Sequence, residues 1–285
     1  MCGRDWSSDV CSSDLITSKD SYLEDEILFG IHPIHSALAR GRRLFKNIFI
    51  RTTLHRQLAY PESNLDTPDG QGLSDIWKCT TGLGLPVSPV NNSKLDKLAK
   101  YGIHQGICAM VSPYQSQCID NSDVGVTTRP VLWLLIDNVK DPMNMGALVR
   151  SAVYFGVGKL IVSPSCSRLS PVVSKASAGA MEYGDIYQVR NSAQLLEELK
   201  ASGWDILGAV CSSDNSTHLS EIRSVNRNTL LIIGSESRGV DNSLLDYCNR
   251  LVNISAAPGA PPYLDSLNVG VATGVMLNHF TQLLR

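Results

Sequence analysis

From Val131 onward the chain alternates apolar runs with amphipathic stretches, and no other feature restricts its fold as much. VLWLLID, KLIVS, IYQV, DILGAV, TLLIIG and RLVNIS read as strands. Between them lie five helical stretches: one after Asp141, one near 171–181, SAQLLEELKASG, a short piece at 241–248, and a last one from about 267. Apolar runs separated by helices imply an α/β fold, a mainly parallel sheet with helices on both faces. A doubly wound nucleotide-binding fold has the same periodicity. No G-x-G-x-x-G follows the first strand, however, and no G-x-x-x-x-G-K-S/T occurs, which counts against dinucleotide and P-loop sites.

A chain of 285 residues with 43% hydrophobic content is long enough for two domains. The aperiodic, polar stretch YQSQCIDNSDVGVTTRP marks a linker at about 116–128, between domains at 27–115 and 129–285. Upstream, FGIHPIHSALARGRR reads as a short strand, a Pro-started helix and a basic turn, followed by the strand NIFIR, so the first half is a small α/β domain. PESNLDTPDGQG, residues 61–72, reads as a turn-rich insertion. DWSSDVCSSDL, residues 5–15, reads as a translated sequencing adapter, and residues 1–26 are expected to be an artefactual, disordered leader.

The cysteines are scattered, without a C-x-x-C pair or neighbouring histidines, which argues for reduced structural thiols rather than a metal site or a disulfide framework. No apolar run approaches the ~20 residues that span a bilayer. The net charge of −2 conceals an asymmetry: residues 27–115 hold ten Lys or Arg against five Asp or Glu, while the remainder holds 15 against 22. Arg40, Arg42, Arg43 and Lys46 cluster after the first helix and are the expected RNA contacts, while Lys94, Lys97 and Lys100 repeat at spacing three.

Three segments carry the chemistry. NMGALVR, residues 144–150, opens the helix after a Pro-containing turn. Its Met145, Leu148, Val149 and Ala152 form a core stripe, and Arg150 faces away from it. GSESRGV, residues 234–240, is a Gly-bounded loop carrying Glu236. SLNVGVATG, residues 266–274, pairs a capping Ser266 and the amide of Asn268 with Gly270 and Gly274, which lie on one helix face and admit a close neighbour.

In this order the three segments resemble the motifs of the SpoU/TrmH family of RNA 2′-O-ribose methyltransferases, within the knotted SPOUT superfamily. Ser237 and Gly270 depart from the family pattern, which has Gly and Ser there. The resemblance implies a deep trefoil knot formed by loops 234–240 and 254–267. It also implies S-adenosylmethionine bound by backbone groups at Gly234, Ile254 and Leu267, a homodimer, and no metal. Arg150 would stabilise charge on the ribose oxygen, since an arginine stays protonated. Asn144, Glu236, Ser266 and Asn268 would position ribose, arginine and cofactor.

FGIHPIHSALA resembles the start of the family's ribosomal-protein-like substrate domain. With HQGICAMVSP and PPYLDSLNV it points to the branch that modifies a guanosine of mitochondrial large-subunit rRNA, hence to the mitochondrial matrix. A tRNA-modifying relative and a non-catalytic RNA-binding assembly factor are the alternatives.

Overall fold

The computed structural model describes residues 24–59, 67–119, 129–211, 215–236, 238–261 and 266–284. The first half contains Glu26–Phe29 (β1), Ile31–Arg40 (α1), Phe45–Arg51 (β2), Thr52–Ala59 (α2), Pro68–Gly82 (α3), Val87–Val90 (β3), Asn92–Leu98 (α4) and Ile107–Val111 (β4). The second contains Gln117–Cys118 (β5), Leu132–Ile136 (β6), Pro142–Phe155 (α5), Lys159–Val162 (β7), Pro171–Ala176 (α6), Ala180–Tyr183 (α7), Ile186–Gln188 (β8) and Ser192–Ala201 (α8). It continues with Asp205–Ala209 (β9), Ser216–His218 (β10), Thr229–Ile233 (β11), Asn242–Leu245 (α9), Arg250–Asn253 (β12) and Val269–Leu283 (α10).

The large sheet has the order β10-β12-β9-β11-β6-β7-β8-β5, and every pairing in it is parallel. Its central strand shows why the apolar runs lack alternation. Leu132, Leu134 and Ile136 of β6 enter a core shared with α5 and α10, while Trp133 and Leu135 enter the opposite core beneath α8 and α9. The predicted stripe of α5 is at most 1% exposed at Met145, Leu148, Val149 and Ala152, and Arg150 is exposed as expected.

The small sheet has the order β1-β4-β2-β3, with β4 antiparallel to both β1 and β2. Several boundaries differ from those read in the sequence. Glu26 is already in β1, so the ordered chain extends into the expected leader, whose first 23 residues lie outside the described ones. Part of the expected insertion is helix: Thr67 caps α3 by accepting a hydrogen bond from Gly70 N, and Pro68 takes the first helical position, where a missing N–H costs nothing. Gln117 and Cys118, placed in the linker, instead add a strand to the edge of the large sheet beside β8.

The two halves are docked together rather than merely tethered. Arg43, expected on an RNA-facing surface, is wholly buried. Its Nε and Nη2 donate to the two carboxylate oxygens of Glu182 at 3.0 and 2.9 Å, and its Nη1 donates to Glu26 at 2.9 Å. Arg42 donates to Gly184 O and Asp185, Arg40 lies over the Tyr183 ring, and Lys46 pairs with Asp25. The expectation that these four residues contact RNA is therefore corrected for Arg43, whose charge is consumed in the interior. The other three are each engaged within the chain: Arg40 and Arg42 join Arg43 in holding the second half, while Lys46 pairs within the first.

Candidate active site

Asp141, Pro142 and Gly156 set the limits of α5. The Asp141 carboxylate accepts from Met143 N and Asn144 N at 3.2 Å each, Pro142 occupies the first helical position, and Gly156 closes the helix in the left-handed conformation at φ 74°. Because Asp141 provides the cap, the Asn144 side chain is free for other contacts. At the start of α10 the cap is Asn268, not Ser266: the Asn268 Oδ1 accepts from Gly270 N at 2.9 Å and from Val271 N at 3.4 Å. Ser266 lies exposed two residues earlier.

The other end of the same amide joins the three motifs. Asn268 Nδ2 donates to Asn144 Oδ1 at 3.1 Å and to Glu236 Oε1 at 2.6 Å. Residues 144, 236 and 268 are thus brought together at the carboxyl ends of β6 and β11, where ligand crevices of open parallel sheets lie. Asn144 and Glu236 line a cleft of about 320 Å³, reached at the start of α10 by Val269, whose walls also include Asn138, Lys140, Asp141 and Arg238. Asn138 adopts a left-handed backbone at φ 54°, which asparagine tolerates better than most residues. Lys140 and Arg238 are exposed and form no ion pair among the described residues. Sequence reasoning assigned neither, although both lie within or beside the motifs.

The loop after β11 is folded tightly on itself. Ser235 and Gly239 exchange backbone hydrogen bonds at 3.0 and 2.8 Å, and a Cβ on Gly234 would lie 2.0 Å from the carbonyl of Gly239. No side chain fits at 234. The departure at Gly270 also has a packing reason: a Cβ there would come within 3.0 Å of the Ala147 Cβ, because α10 lies against α5. The other departure, Ser237, lies outside the described residues.

Ile254 packs partly buried against the main core, and Leu267 is 47% exposed before α10; neither lines the cleft. Arg150 is not brought to the cleft either. It sits six residues beyond Asn144, about 9 Å along the helix axis, and makes no hydrogen bond or ion pair among the described residues. On α5 and on α10, which packs against it, large apolar side chains stay exposed: Tyr154 at 83%, Val271 at 54% and Val275 at 42%. Among the described residues there is no group of three His, Cys, Asp or Glu able to hold a metal ion, and no helix long and apolar enough to cross a membrane.

The SpoU rRNA Methylase family model matches residues 131–278, and that for RNA 2′-O ribose methyltransferase substrate binding matches residues 27–117. The chain belongs to the SpoU rRNA methylase family. As a SpoU member it is an RNA methyltransferase. It is 34% identical over 266 residues to the human protein named rRNA methyltransferase 1, mitochondrial, covering 89% of this chain and 71% of that one. The protein of the same name from Schizosaccharomyces pombe is 30% identical, with 89% of each chain covered. The SpoU fold is also shared with two solved structures at 19% identity. One is the SpoU methyltransferase AviRb from Streptomyces viridochromogenes in complex with AdoMet, with a TM-score of 0.68 over 90% of this chain and 89% of that one. The other is an AdoMet-bound rRNA methyltransferase from Sinorhizobium meliloti, with a TM-score of 0.67 over 90% and 86%.

Proposed function

We propose that this SpoU protein methylates the ribose 2′-hydroxyl of a guanosine in mitochondrial large-subunit rRNA, with S-adenosylmethionine as the methyl donor. The observation that carries the reading is the Asn268 amide, which ties Asn144 and Glu236 to the start of α10 in one cleft. The names of the human and yeast relatives support the organelle and the rRNA class.

The residues present fit such a donor. The loops after β6 and β11 and the start of α10 meet at the carboxyl ends of the central strands, and Gly234 leaves only backbone at the loop where an adenosyl group would be held. Gly234, Ile254 and Leu267 are its backbone contacts, and these loops form the trefoil knot. The donor supplies a methyl group on a sulfonium.

The chain supplies alignment and charge. Asn144, Glu236, Ser266 and Asn268 orient the ribose, and Lys140 and Arg238 at the cleft wall neutralise the adjoining phosphates. Arg150 stabilises the negative charge that develops on the 2′-oxygen. Because Arg150 is exposed and does not line its own chain's cleft, it acts in a homodimer that meets through the exposed apolar side chains of Tyr154, Val271 and Val275, so that each site draws on both subunits.

Incubating the protein and labelled S-adenosylmethionine with total RNA, then mapping protected 2′ positions, tests the reading. One protected guanosine in the large-subunit rRNA is expected. Label on a base, or none with a folded protein that binds the cofactor, overturns it.

A further inference from the structure

Between the two halves runs an open groove of about 990 Å³, separate from the cleft already described. Its walls include Lys100 and Ile103 from the loop between α4 and β4, and Met143, Val172 and Lys175 from the methyltransferase half. Met143 adjoins Asn144, so one end of the groove lies at the first turn of α5, beside the motif residues.

The loop is unusual in its backbone. Lys100, Tyr101 and Gln105 are all non-glycine residues at positive φ, 48°, 63° and 53°. Such conformations persist only where the surroundings impose them, and they cluster at working sites. Here the surroundings are explicit. Tyr101 N donates to Asp96 O at 2.7 Å, and the buried His104 accepts from Gly106 N at Nδ1 while its Nε2 bonds Asp96 at 3.0 Å. Gln105 Oε1 accepts from Lys175 Nζ at 2.7 Å, fastening the loop to the other half. Yet this rigidly held loop turns its large apolar side chains outward, with Tyr101 81% and Ile103 77% exposed. Packing does not need them there.

Charge indicates the occupant. Lys94, Lys97 and Lys100 follow one another along α4 and its exit; all are exposed and none has an ion pair among the described residues. Two of the groove's three carboxylates are engaged, Asp25 on Lys46 and Glu26 on Arg43 and Arg168, which leaves Glu24 at its exposed end. A lysine row leading to an exposed aromatic ring is the arrangement that holds unpaired nucleotides, with cations on phosphates and a ring under a base.

We infer that a single-stranded segment of the RNA substrate that flanks the target nucleotide runs along α4 and enters the groove at Lys100, with phosphates on Lys94, Lys97 and Lys100 and a base stacked on Tyr101 at the groove's rim, between the wall residues Lys100 and Gly102. The inference rests on the methyltransferase reading for the identity of the RNA, but not for the contact itself.

The test measures affinity of the full chain for a large-subunit rRNA fragment, alongside methyl transfer to it. Tyr101→Asn is the informative variant, because asparagine accepts the left-handed backbone more readily than tyrosine and should not unfold the loop. It should weaken RNA binding about 5- to 150-fold, the range for losing one stacked base, while cofactor binding and melting temperature hold. A triple Lys94→Gln, Lys97→Gln, Lys100→Gln variant should lower the salt slope of binding by about two. A benzophenone amino acid at position 101 should crosslink to the fragment.

Unchanged affinity in Tyr101→Asn and Ile103→Ser, or a crosslink to a second copy of the chain or another protein instead of RNA, overturns the inference. If the wild-type protein methylates the fragment but the variants bind normally, the groove assignment alone fails. If Tyr101 contacts RNA and no methyl is transferred, the methyltransferase reading fails and the groove stands.

Discussion

Arg43 and Glu182, 139 residues apart in the chain, meet in a two-pronged ion pair with both side chains wholly buried. Ser174 Oγ also donates to Glu182, and the Tyr114 ring covers the guanidinium at 5.3 Å. A planar guanidinium held at two points fixes angle as well as distance, which a lysine would not.

Removing one partner leaves the other charge buried and unmatched. Glu182→Ala should therefore cost about 3 to 5 kcal/mol of stability in urea denaturation. Arg43→Met combined with Glu182→Met should recover most of that loss, since an apolar pair of similar volume needs no partner. A double variant as unstable as the single one would show that the ion pair is more than a satisfied burial.

The pair also marks where the sequence stops being readable. The parallel sheet was legible because β6 buries both faces, and the three motifs were legible because Asn144, Glu236 and Asn268 occur in order with fixed neighbours. The use of Arg43 was not: a cluster of cations looks alike whether it faces phosphate or a carboxylate more than a hundred residues away. The cap of α10 was misread for a local reason. Ser266 and Asn268 are both good caps, and only the backbone angles at 268, φ −50° and ψ 138°, select between them. The outward Tyr101 depends on left-handed backbone at Lys100 and Tyr101 themselves, neither of them a residue type that announces it.

Asn268 caps a helix and joins the motif residues with one side chain, so two substitutions should separate these roles. Asn268→Ala should lose about 0.5 to 2 kcal/mol from the missing cap, together with turnover. Asn268→Asp keeps an oxygen for Gly270 N but loses the donor to Asn144 and Glu236 and sets a second carboxylate beside Glu236. It should fold like the wild type, by melting temperature, and still fail to transfer methyl. Wild-type turnover in Asn268→Asp would remove the amide from the chemistry.

Arg150 has no partner to lose within the described residues, so Arg150→Ala should leave stability and S-adenosylmethionine binding unchanged. Turnover should fall by about 2.7 to 4 kcal/mol in barrier, the usual cost of removing a charge-stabilising donor. Calorimetry beside single-turnover assays separates the two effects. Mixing Arg150→Ala with Asn268→Asp chains should restore part of the activity if each site draws on both subunits.

The thiols should divide by burial. Cys79, Cys118 and Cys211 are exposed, whereas burial pushes the Cys108 thiol up to about 12 and the Cys248 thiol up to about 11. The thiolate is the reactive form, so at pH 8 the last two are almost wholly protonated and poor nucleophiles. Peptide mapping after brief iodoacetamide treatment should find label at 79, 118 and 211 well before 108 and 248. Early label at 108 would mean that the small sheet opens.

The buried Arg43 to Glu182 join has a further meaning for how a target is chosen. A reader on a loose tether would let the chemistry reach any ribose within the sweep of its linker. With the halves locked, the span from Tyr101 to Asn144 is a fixed length of protein, and the RNA must bring a ribose to that distance. On that inference the chain would select a nucleotide by its spacing from a held feature, as a ruler does, so lengthening or shortening the RNA between them by one nucleotide should move the methyl to a different ribose or abolish it.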